Sequence, residues 1–330
     1  MMKPFTCAIV GATGMVGRMF LQILRERETP VKKLYLFASA RSAGASVDFD
    51  GETLTIEELT HSSFDRGIDA ALFGVKADIS REYAPIAVKK GCVVIDNSSA
   101  FRTDPEIPLV VPEVNAEDIK NHKGIIANPN CCAAPAVVAL NPLHKAYKIK
   151  RVVYSTYQSV SGAGNPGWKD LDETLAGGGA KFFPQRIAHN IIPHIDRFNE
   201  DGYTGEEVKL IAETKKILHA PEINATATTV RVPVYTGHCL SINVSFEKPF
   251  ELSEAKNLLR EAPGVAYTDD PANSVYPTPL LAAGTDSVYV GRVRRDESFE
   301  NSLNLWVVAD NVRKGAATNA VQIAEALMSR

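Results

Sequence analysis

The chain has 330 residues, 45% hydrophobic and 23% charged, with a formal net charge of −3 at pH 7. This length can hold two domains, and the absence of a basic run argues against nucleic-acid binding. No run of 18 apolar residues occurs, and the start leads directly into a predicted strand, so we expect neither a membrane span nor a signal peptide. The five cysteines form no disulfide framework, which predicts a cytoplasmic protein.

The N-terminal elements are predicted to be a strand, a glycine turn and a helix. Phe5–Val10 is apolar, Gly11-Ala-Thr-Gly14-Met-Val-Gly17 follows at once, and residues 18–24 have helical apolar spacing. A dinucleotide fingerprint requires this order, because glycines let the backbone approach a pyrophosphate at the helix N-terminus. The alternative is a tight turn that binds nothing.

The end of the second predicted strand indicates which cofactor binds. Residues 33–37 form this strand, and Ala-Ser-Ala-Arg41-Ser42 follows it. An NAD site usually has an acid here for the ribose 2′-hydroxyl, whereas an arginine flanked by serines suits a 2′-phosphate. NADP is therefore favoured, the alternative being that Arg41 is a solvated loop residue.

The remaining pattern predicts an α/β fold with two kinds of sheet. Residues 69–75 and 92–96 are continuous apolar runs, typical of buried parallel strands, with helical character between them. After residue 150 the strands become longer and often alternate, which indicates a mixed or antiparallel sheet. We therefore expect a doubly wound Rossmann-type domain at 1–130, completed by a helix at 315–330, and an α+β catalytic and dimerisation domain with a mixed sheet at 131–314. The later strands are predicted at 151–157, 225–235, 240–246, 287–293 and 302–308, and the helices near 168–175, 205–217 and 252–261.

Asn-Pro-Asn-Cys131-Cys132 lies between a predicted short strand at 124–127 and an apolar helix that opens at Ala133. Unpaired N–H groups and the helix dipole at such a junction favour a thiolate, which is the nucleophilic form of cysteine. The alternative is a buried structural cysteine. The turn residues that precede Cys131 favour the nucleophile.

Two further segments carry candidate chemistry, and neither is a metal motif. Gln158-Ser-Val-Ser-Gly-Ala-Gly164 ends a strand in a glycine turn, and Arg231 precedes His238 by seven residues. His238 is expected to be solvent-accessible and to act as a general acid and base. The histidines are dispersed, and Pro193 interrupts the nearest pair, so no metal is predicted.

Several of these motifs occur together, in one order, along nearly the whole chain. The motifs are Gly-Ala-Thr-Gly-Met-Val-Gly, Ser-Ala-Arg-Ser-Ala-Gly, Asp-Asn-Ser-Ser-Ala-Phe-Arg, Asn-Pro-Asn-Cys, Gln-Ser-Val-Ser-Gly-Ala-Gly, Glu-Thr-Lys-Lys-Ile-Leu and Arg-Val-Pro-Val-x-x-Gly-His. Because it carries these motifs, the chain resembles the bacterial aspartate-semialdehyde dehydrogenases. The resemblance implies reversible NADP-dependent conversion of 4-aspartyl phosphate to aspartate 4-semialdehyde and phosphate through a cysteine thioester. It also implies a homodimer and a step that feeds lysine (through diaminopimelate), threonine, methionine and isoleucine synthesis.

The resemblance also assigns roles to individual residues. Cys131 resembles the nucleophile, His238 the acid/base and Gln158 the residue that orients the substrate. For the substrate, it implies Arg231 at the carboxylate, Glu213 at the ammonium group, and Arg102 with Lys216 at phosphate. For the cofactor, it implies contacts from Gly11, Thr13, Gly14, Met15, Val16, Arg41, Ser42, Ser161, Gly162, and Asn311 or Asn319.

Two departures and two alternatives remain. Gly74-Val-Lys-Ala-Asp78 replaces a small, glycine-rich stretch of the relatives, which leaves the cofactor contacts of that loop open. Many relatives have Ser or Thr after the nucleophile, where this chain has Cys132. An N-acetyl-glutamyl-phosphate reductase would share the fold and the thioester, but its cysteine typically follows Pro-Gly. A redox-sensing NADP-binding protein would use both cysteines and leave Arg231, Glu213 and His238 without a role.

Overall fold

The computed structural model describes residues 2–329, which form two compact units. The first unit contains the chain up to Pro129 together with the residues from Ala316 onward, and the second is Asn130–Gly315. Within residues 2–329, none of the helices is both long enough and apolar enough to cross a membrane.

The elements are named in chain order. The strands are β1 (Phe5–Val10), β2 (Val31–Ala38), β3 (Ser46–Phe49), β4 (Glu52–Glu58), β5 (Ala70–Phe73), β6 (Val93–Asp96), β7 (Ile125–Ala127), β8 (Ile149–Gln158), β9 (Asn224–Arg231), β10 (His238–Phe246), β11 (Val265–Tyr267), β12 (Val288–Arg295) and β13 (Ser302–Ala309). The helices are α1 (Met15–Glu26), α2 (Ala77–Lys89), α3 (Pro112–Asn115), α4 (Ala133–Tyr147), α5 (Asn165–Leu175), α6 (Gly205–Ile217), α7 (Leu252–Glu261), α8 (Pro279–Ala282) and α9 (Thr318–Met328).

The first unit is a doubly wound sheet of the predicted kind. Its strand order is β3-β4-β2-β1-β5-β6-β7, and all neighbours are parallel except β3 and β4. The four residues of β5 are fully buried, as expected for a parallel strand with both faces covered. The antiparallel hairpin of β3 and β4 was not predicted; Ile56 is its one buried side chain, and Val47, Phe49 and Leu54 are partly buried.

The second unit is a mixed sheet with α6 on one face and α8 on the other. Its order is β11-β12-β13-β10-β8-β9, in which β8 and β9 are parallel and β10 is antiparallel to both its neighbours. Along β8, Val152, Tyr154, Thr156 and Gln158 are buried, whereas the residues between them are partly or fully exposed. The Tyr154 hydroxyl lies 3.0 Å from Thr214 Oγ1 of α6, so the buried face is the one that α6 covers.

Several boundaries differ from the sequence prediction, and two of these differences have a local cause. β9 ends at Arg231 instead of continuing to residue 235, because Pro233 has no N–H to extend the strand pairing. α9 begins at Thr318 instead of residue 315, because Arg313–Ala317 form a π-helical turn.

Candidate active site

Three predicted site residues lie at one edge of the six-stranded sheet. Gln158 ends β8, Arg231 ends the parallel neighbour β9 directly opposite it, and His238 begins the antiparallel neighbour β10. Because parallel strands end, and the antiparallel strand begins, at the same edge, residues up to 80 positions apart along the chain become neighbours. All three side chains are buried.

The segment that carries Cys131 ends where α4 begins at Ala133, as predicted. The N–H groups of Cys132 and Ala133 donate to Asn130 Oδ1, at 2.8 Å and 3.4 Å. The expectation of unpaired N–H groups at this junction is therefore wrong for these two amides, because the asparagine that precedes the cysteines accepts from both.

Asn130 is itself held by two buried carboxylates of α6. Its backbone N–H donates to Glu213 Oε2 at 2.6 Å, and its Nδ2 donates to Glu206 Oε1 at 2.8 Å. The same Glu206 oxygen accepts from Gln158 Nε2 at 3.1 Å. Glu206 therefore joins the nucleophile segment to Gln158. Sequence reasoning did not identify this residue, because nothing in the sequence distinguishes it from Glu207 beside it.

The two adjacent cysteines have different environments. Cys131 is partly exposed and Cys132 is fully buried. A hydrogen bond from Cys132, and the charges of His238 and Arg231, hold the pKa of Cys131 well below its ordinary value, against the opposing effect of burial. Burial and the neighbouring Cys131 raise the pKa of Cys132. Of the two sulfurs, Cys131 is therefore the one whose thiolate form is favoured.

His238 is fully buried, so the expectation that it is solvent-accessible is wrong. Its Nδ1 accepts from the Ser159 N–H at 3.1 Å and lies 3.0 Å from Ser159 Oγ. Ser159 Oγ and Ser161 Oγ both donate to Asn311 Oδ1, each at 3.0 Å. The ring is therefore fixed through Nδ1. Among the described residues, Nε2 is the one buried side-chain polar atom without a hydrogen-bond partner.

Arg231 and Gly162 lie beside His238. Arg231 Nη1 donates to the Ser159 carbonyl at 2.7 Å, and its guanidinium lies 5.8 Å from the centre of the Phe183 ring. A Cβ on Gly162 would lie 2.8 Å from Arg231 Nη1 and 3.1 Å from His238 Nε2. Glycine at 162 therefore keeps the space beside both groups open. Burial lowers the pKa of Arg231.

In the first unit the glycine turn fits a dinucleotide. Gly11 has a φ of +87°, and a Cβ there would lie 2.6 Å from the Gly74 carbonyl oxygen, so glycine is required. α1 begins at Met15 without a side-chain cap, which leaves its first amides available for a phosphate. Thr13 Oγ1 lies 3.5 Å from Ser42 Oγ, and a cavity of about 590 Å³ is lined in part by Thr13 and Ser46.

Of the other predicted site residues, Arg41, Arg102 and Asn319 lie in the first unit and Lys216 lies in the second. Arg41 is exposed in a short 3₁₀ turn. Arg102 is buried and donates to the carbonyls of Asn97 and Asn128. Asn319 is fully buried and donates to the Val110 carbonyl and Asn128 Oδ1, so part of its amide is already used within the unit. Lys216 lies on α6, three residues after Glu213.

Comparison with known proteins accounts for both units. Residues 6–122 match the family of semialdehyde dehydrogenase NAD-binding domains, and residues 140–314 match the semialdehyde dehydrogenase dimerisation domain. The aspartate-semialdehyde dehydrogenase of Aquifex aeolicus is 53% identical and is aligned over 98% of both chains. The crystal structure of Vibrio cholerae aspartate semialdehyde dehydrogenase II complexed with ASA has a TM-score of 0.95 and 45% identity, with 99% of both chains covered.

These matches define a semialdehyde dehydrogenase with an NAD-binding domain and a dimerisation domain. At a lower identity of 26%, the Candida albicans aspartate semialdehyde dehydrogenase with NADP has a TM-score of 0.79 over 98% of both chains. The chain belongs to the aspartate-semialdehyde dehydrogenase family, the oxidoreductases that reduce aspartyl phosphate with NADP in amino-acid biosynthesis. The predicted fold class, activity and cofactor are confirmed.

Proposed function

We propose that this chain reduces 4-aspartyl phosphate to aspartate 4-semialdehyde with Cys131 as the nucleophile and His238 as the acid and base. The observation that carries this proposal is the cluster in which the sulfurs of Cys131 and Cys132 and a ring nitrogen of His238 lie within 4.8 Å of one another. The lowered pKa of Cys131 supports its role, because the thiolate is the form that attacks a carbonyl.

The substrate has one carboxylate, one ammonium group and one reacting carbonyl, and the chain offers a partner for each. Arg231 can hold the carboxylate with two parallel hydrogen bonds, and its single described hydrogen bond, to the Ser159 carbonyl, leaves other guanidinium N–H groups available. Glu213 is the candidate for the ammonium group, and Gln158 for the carbonyl oxygen. Arg102 and Lys216 supply positive charge for the phosphate.

The acyl transfer follows from these positions. The Cys131 thiolate attacks the acyl carbon, and the carbon–oxygen bond to phosphate breaks with its electron pair leaving on phosphate, which forms the thioester. His238 Nε2 then gives a proton to the carbonyl oxygen as it is reduced, and takes a proton back when the thiohemiacetal releases the aldehyde and the thiolate. Ser159 Oγ can accept from or donate to Nδ1, so it accommodates both charge states of the ring.

We infer that the first unit binds the cofactor and the second carries the catalytic residues. Gly11, Gly14, Met15 and Val16 would face the pyrophosphate, and Thr13, Arg41 and Ser42 would hold phosphate groups, with Arg41 at the 2′-phosphate. Ser161, Gly162 and Asn311 remain the candidates for the nicotinamide side. When bound, NADPH supplies the hydride that reduces the thioester carbonyl.

We also propose a cytoplasmic homodimer. The five cysteines are all free, which fits a reducing compartment. In the second unit, the face of the sheet opposite α6 presents Val153, Tyr157 and Trp306 partly or fully exposed, with the Tyr157 and Trp306 rings 5.5 Å apart. A second copy would cover this apolar surface. Tyr157→Asp should therefore yield a monomer by light scattering at concentrations where the wild-type chain is dimeric.

A coupled assay tests the activity. The chain should reduce NADP when aspartate 4-semialdehyde and phosphate are both present, and should not use the N-acetylated glutamate analogue. Cys131→Ala should abolish both turnover and the acyl-enzyme seen by mass spectrometry, whereas Cys92→Ala, which removes a buried thiol of the first unit, should keep both. Turnover by Cys131→Ala would refute the proposal.

A further inference from the structure

The Cys131, Cys132 and His238 cluster has the composition of a metal site. The cysteine sulfurs and a ring nitrogen lie within 4.8 Å of one another. His238 Nδ1 is bonded to Ser159, so the nitrogen left for a ligand is Nε2, which is fully buried and has no protein partner. A buried ring nitrogen without a hydrogen-bond partner, on a histidine clustered with two cysteine sulfurs, is the observation that points to a ligand.

The donor set suits a soft divalent cation. Zn²⁺ binds cysteine sulfur at about 2.3 Å and histidine nitrogen at about 2.0–2.1 Å, which puts tetrahedral donors roughly 3.5–4 Å apart. The three donor atoms, which lie within 4.8 Å of one another, therefore need to close by at most about 1.3 Å, which side-chain rotation can supply. Three protein donors leave a fourth position open for water.

The charges around the site and the hydrogen bonds of His238 to Ser159 are also compatible with a bound divalent cation. Two thiolates neutralise a divalent cation, so the occupied site is neutral beside Arg231, while the nearby carboxylate of Glu206 adds attraction. With Nε2 on the metal, the ring proton lies on Nδ1. Ser159 Oγ lies 3.0 Å from Nδ1 and can accept a hydrogen bond from this N–H while it donates its own to Asn311 Oδ1. The contact between the Ser159 N–H and Nδ1 then loosens.

We propose that Cys131, Cys132 and His238 form a binding site for a thiophilic divalent cation such as Zn²⁺, and that occupation of this site stops turnover. Cys132 makes the site possible, because a serine or threonine at that position would leave one thiolate. Zinc binds cysteine as the thiolate, so binding displaces thiol protons and strengthens as pH rises. The inhibition rests on the proposed roles of Cys131 and His238, but the binding does not.

Direct titration tests the binding. The full-length enzyme, freed of metal with a chelator, is titrated with Zn²⁺ against a chromogenic competitor, and with Co²⁺ for its thiolate charge-transfer absorption. We expect one saturable Zn²⁺ site per chain. Cys132→Ser should bind Zn²⁺ at least about tenfold more weakly and lose about half of the cobalt–thiolate absorption. Cys92→Ala should bind like the wild type.

Two outcomes would overturn the proposal. One is the absence of saturable binding to the wild-type chain. The other is equal Zn²⁺ affinity in the wild type and Cys132→Ser, which would place the cation on Cys131 without its neighbour. These titrations do not depend on turnover. If the chain binds Zn²⁺ through both cysteines but fails the aspartate-semialdehyde assay, the proposed function is refuted and the Zn²⁺ site is not.

Discussion

The Cys132 thiol should control the pKa of its neighbour, and replacing it with alanine or serine separates hydrogen bonding from packing. Cys132 is fully buried and donates a hydrogen bond to the Cys131 sulfur, which is the largest effect holding the Cys131 pKa down. Cys132→Ala removes the donor, whereas Cys132→Ser keeps a hydroxyl of similar size that can donate in its place.

The size of the effect follows from the charge on the acceptor. A hydrogen bond to a charged group contributes about 1.5–3 kcal/mol, and a thiol is a weak donor, so about 1–1.5 kcal/mol is expected here. One pKa unit corresponds to about 1.4 kcal/mol, so Cys132→Ala should raise the Cys131 pKa by about one unit. The thiolate exists above the pKa, so near neutral pH the alanine variant should hold less of it and react more slowly.

The assay is the rate of Cys131 alkylation by iodoacetamide between pH 5 and 9, followed by mass spectrometry of the labelled peptide. The alanine variant's profile should shift to higher pH by about one unit, and the serine variant's should stay near that of the wild type. Coincident alanine and wild-type profiles would show that Cys132 does not donate to Cys131. Faster labelling of Cys132 than of Cys131 in the wild type would assign the nucleophile to the other sulfur.

Two further predictions concern the arginines. Arg41→Ala should weaken NADP binding much more than NAD binding, because a charge-assisted contact to the 2′-phosphate, worth about 1.5–3 kcal/mol, is lost. Dissociation constants for both cofactors test this prediction, and equal losses of affinity would contradict it. Arg231→Lys should reduce kcat/KM for the semialdehyde but leave NADP affinity nearly intact, because lysine keeps the charge without the planar fork. Steady-state kinetics and calorimetry with NADP decide this case, and a large loss of cofactor affinity would give Arg231 another role.

The sequence predicted elements best where their limits are set locally. The bounds of α6 and α7 matched the predicted 205–217 and 252–261, and for α6 the structure has a capping box in which Thr204 and Glu207 bond each other's backbone N–H groups. The β3 and β4 hairpin was missed although its signal is local: Val47, Phe49, Leu54 and Ile56 alternate with polar residues on either side of the Asp50-Gly51 turn.

The site was predictable as residue types but not as contacts. Cys131, Gln158, Arg231 and His238 all stood out by their motifs, whereas their proximity depends on β8, β9 and β10 being neighbours, which no spacing along the chain encodes. The burial of His238 followed from the same packing, because its place at the start of a strand gave no hint of what covers it. The link from Glu206 to Asn130 and Gln158 is likewise a product of tertiary structure.

That link gives the last prediction, in which Glu206 and Glu207 serve as matched variants. Both are equally buried, but the Glu206 carboxylate accepts from Asn130 and Gln158, whereas that of Glu207 accepts from the backbone N–H groups of Thr204 and Thr229. Glutamine keeps the shape and one acceptor oxygen but removes the charge, which weakens each bond by about 1 kcal/mol.

Glu206→Gln should therefore lower kcat by about tenfold or more through misplacement of the nucleophile segment and Gln158, with a loss of unfolding free energy of about 2 kcal/mol. Glu207→Gln should lose similar stability with kcat nearly unchanged, because its bonds hold the start of α6 and strand β9. Urea unfolding and steady-state kinetics on both variants measure the two effects. Equal losses of kcat would mean that Glu206 acts only through stability, since nothing but its partners distinguishes it from the residue beside it.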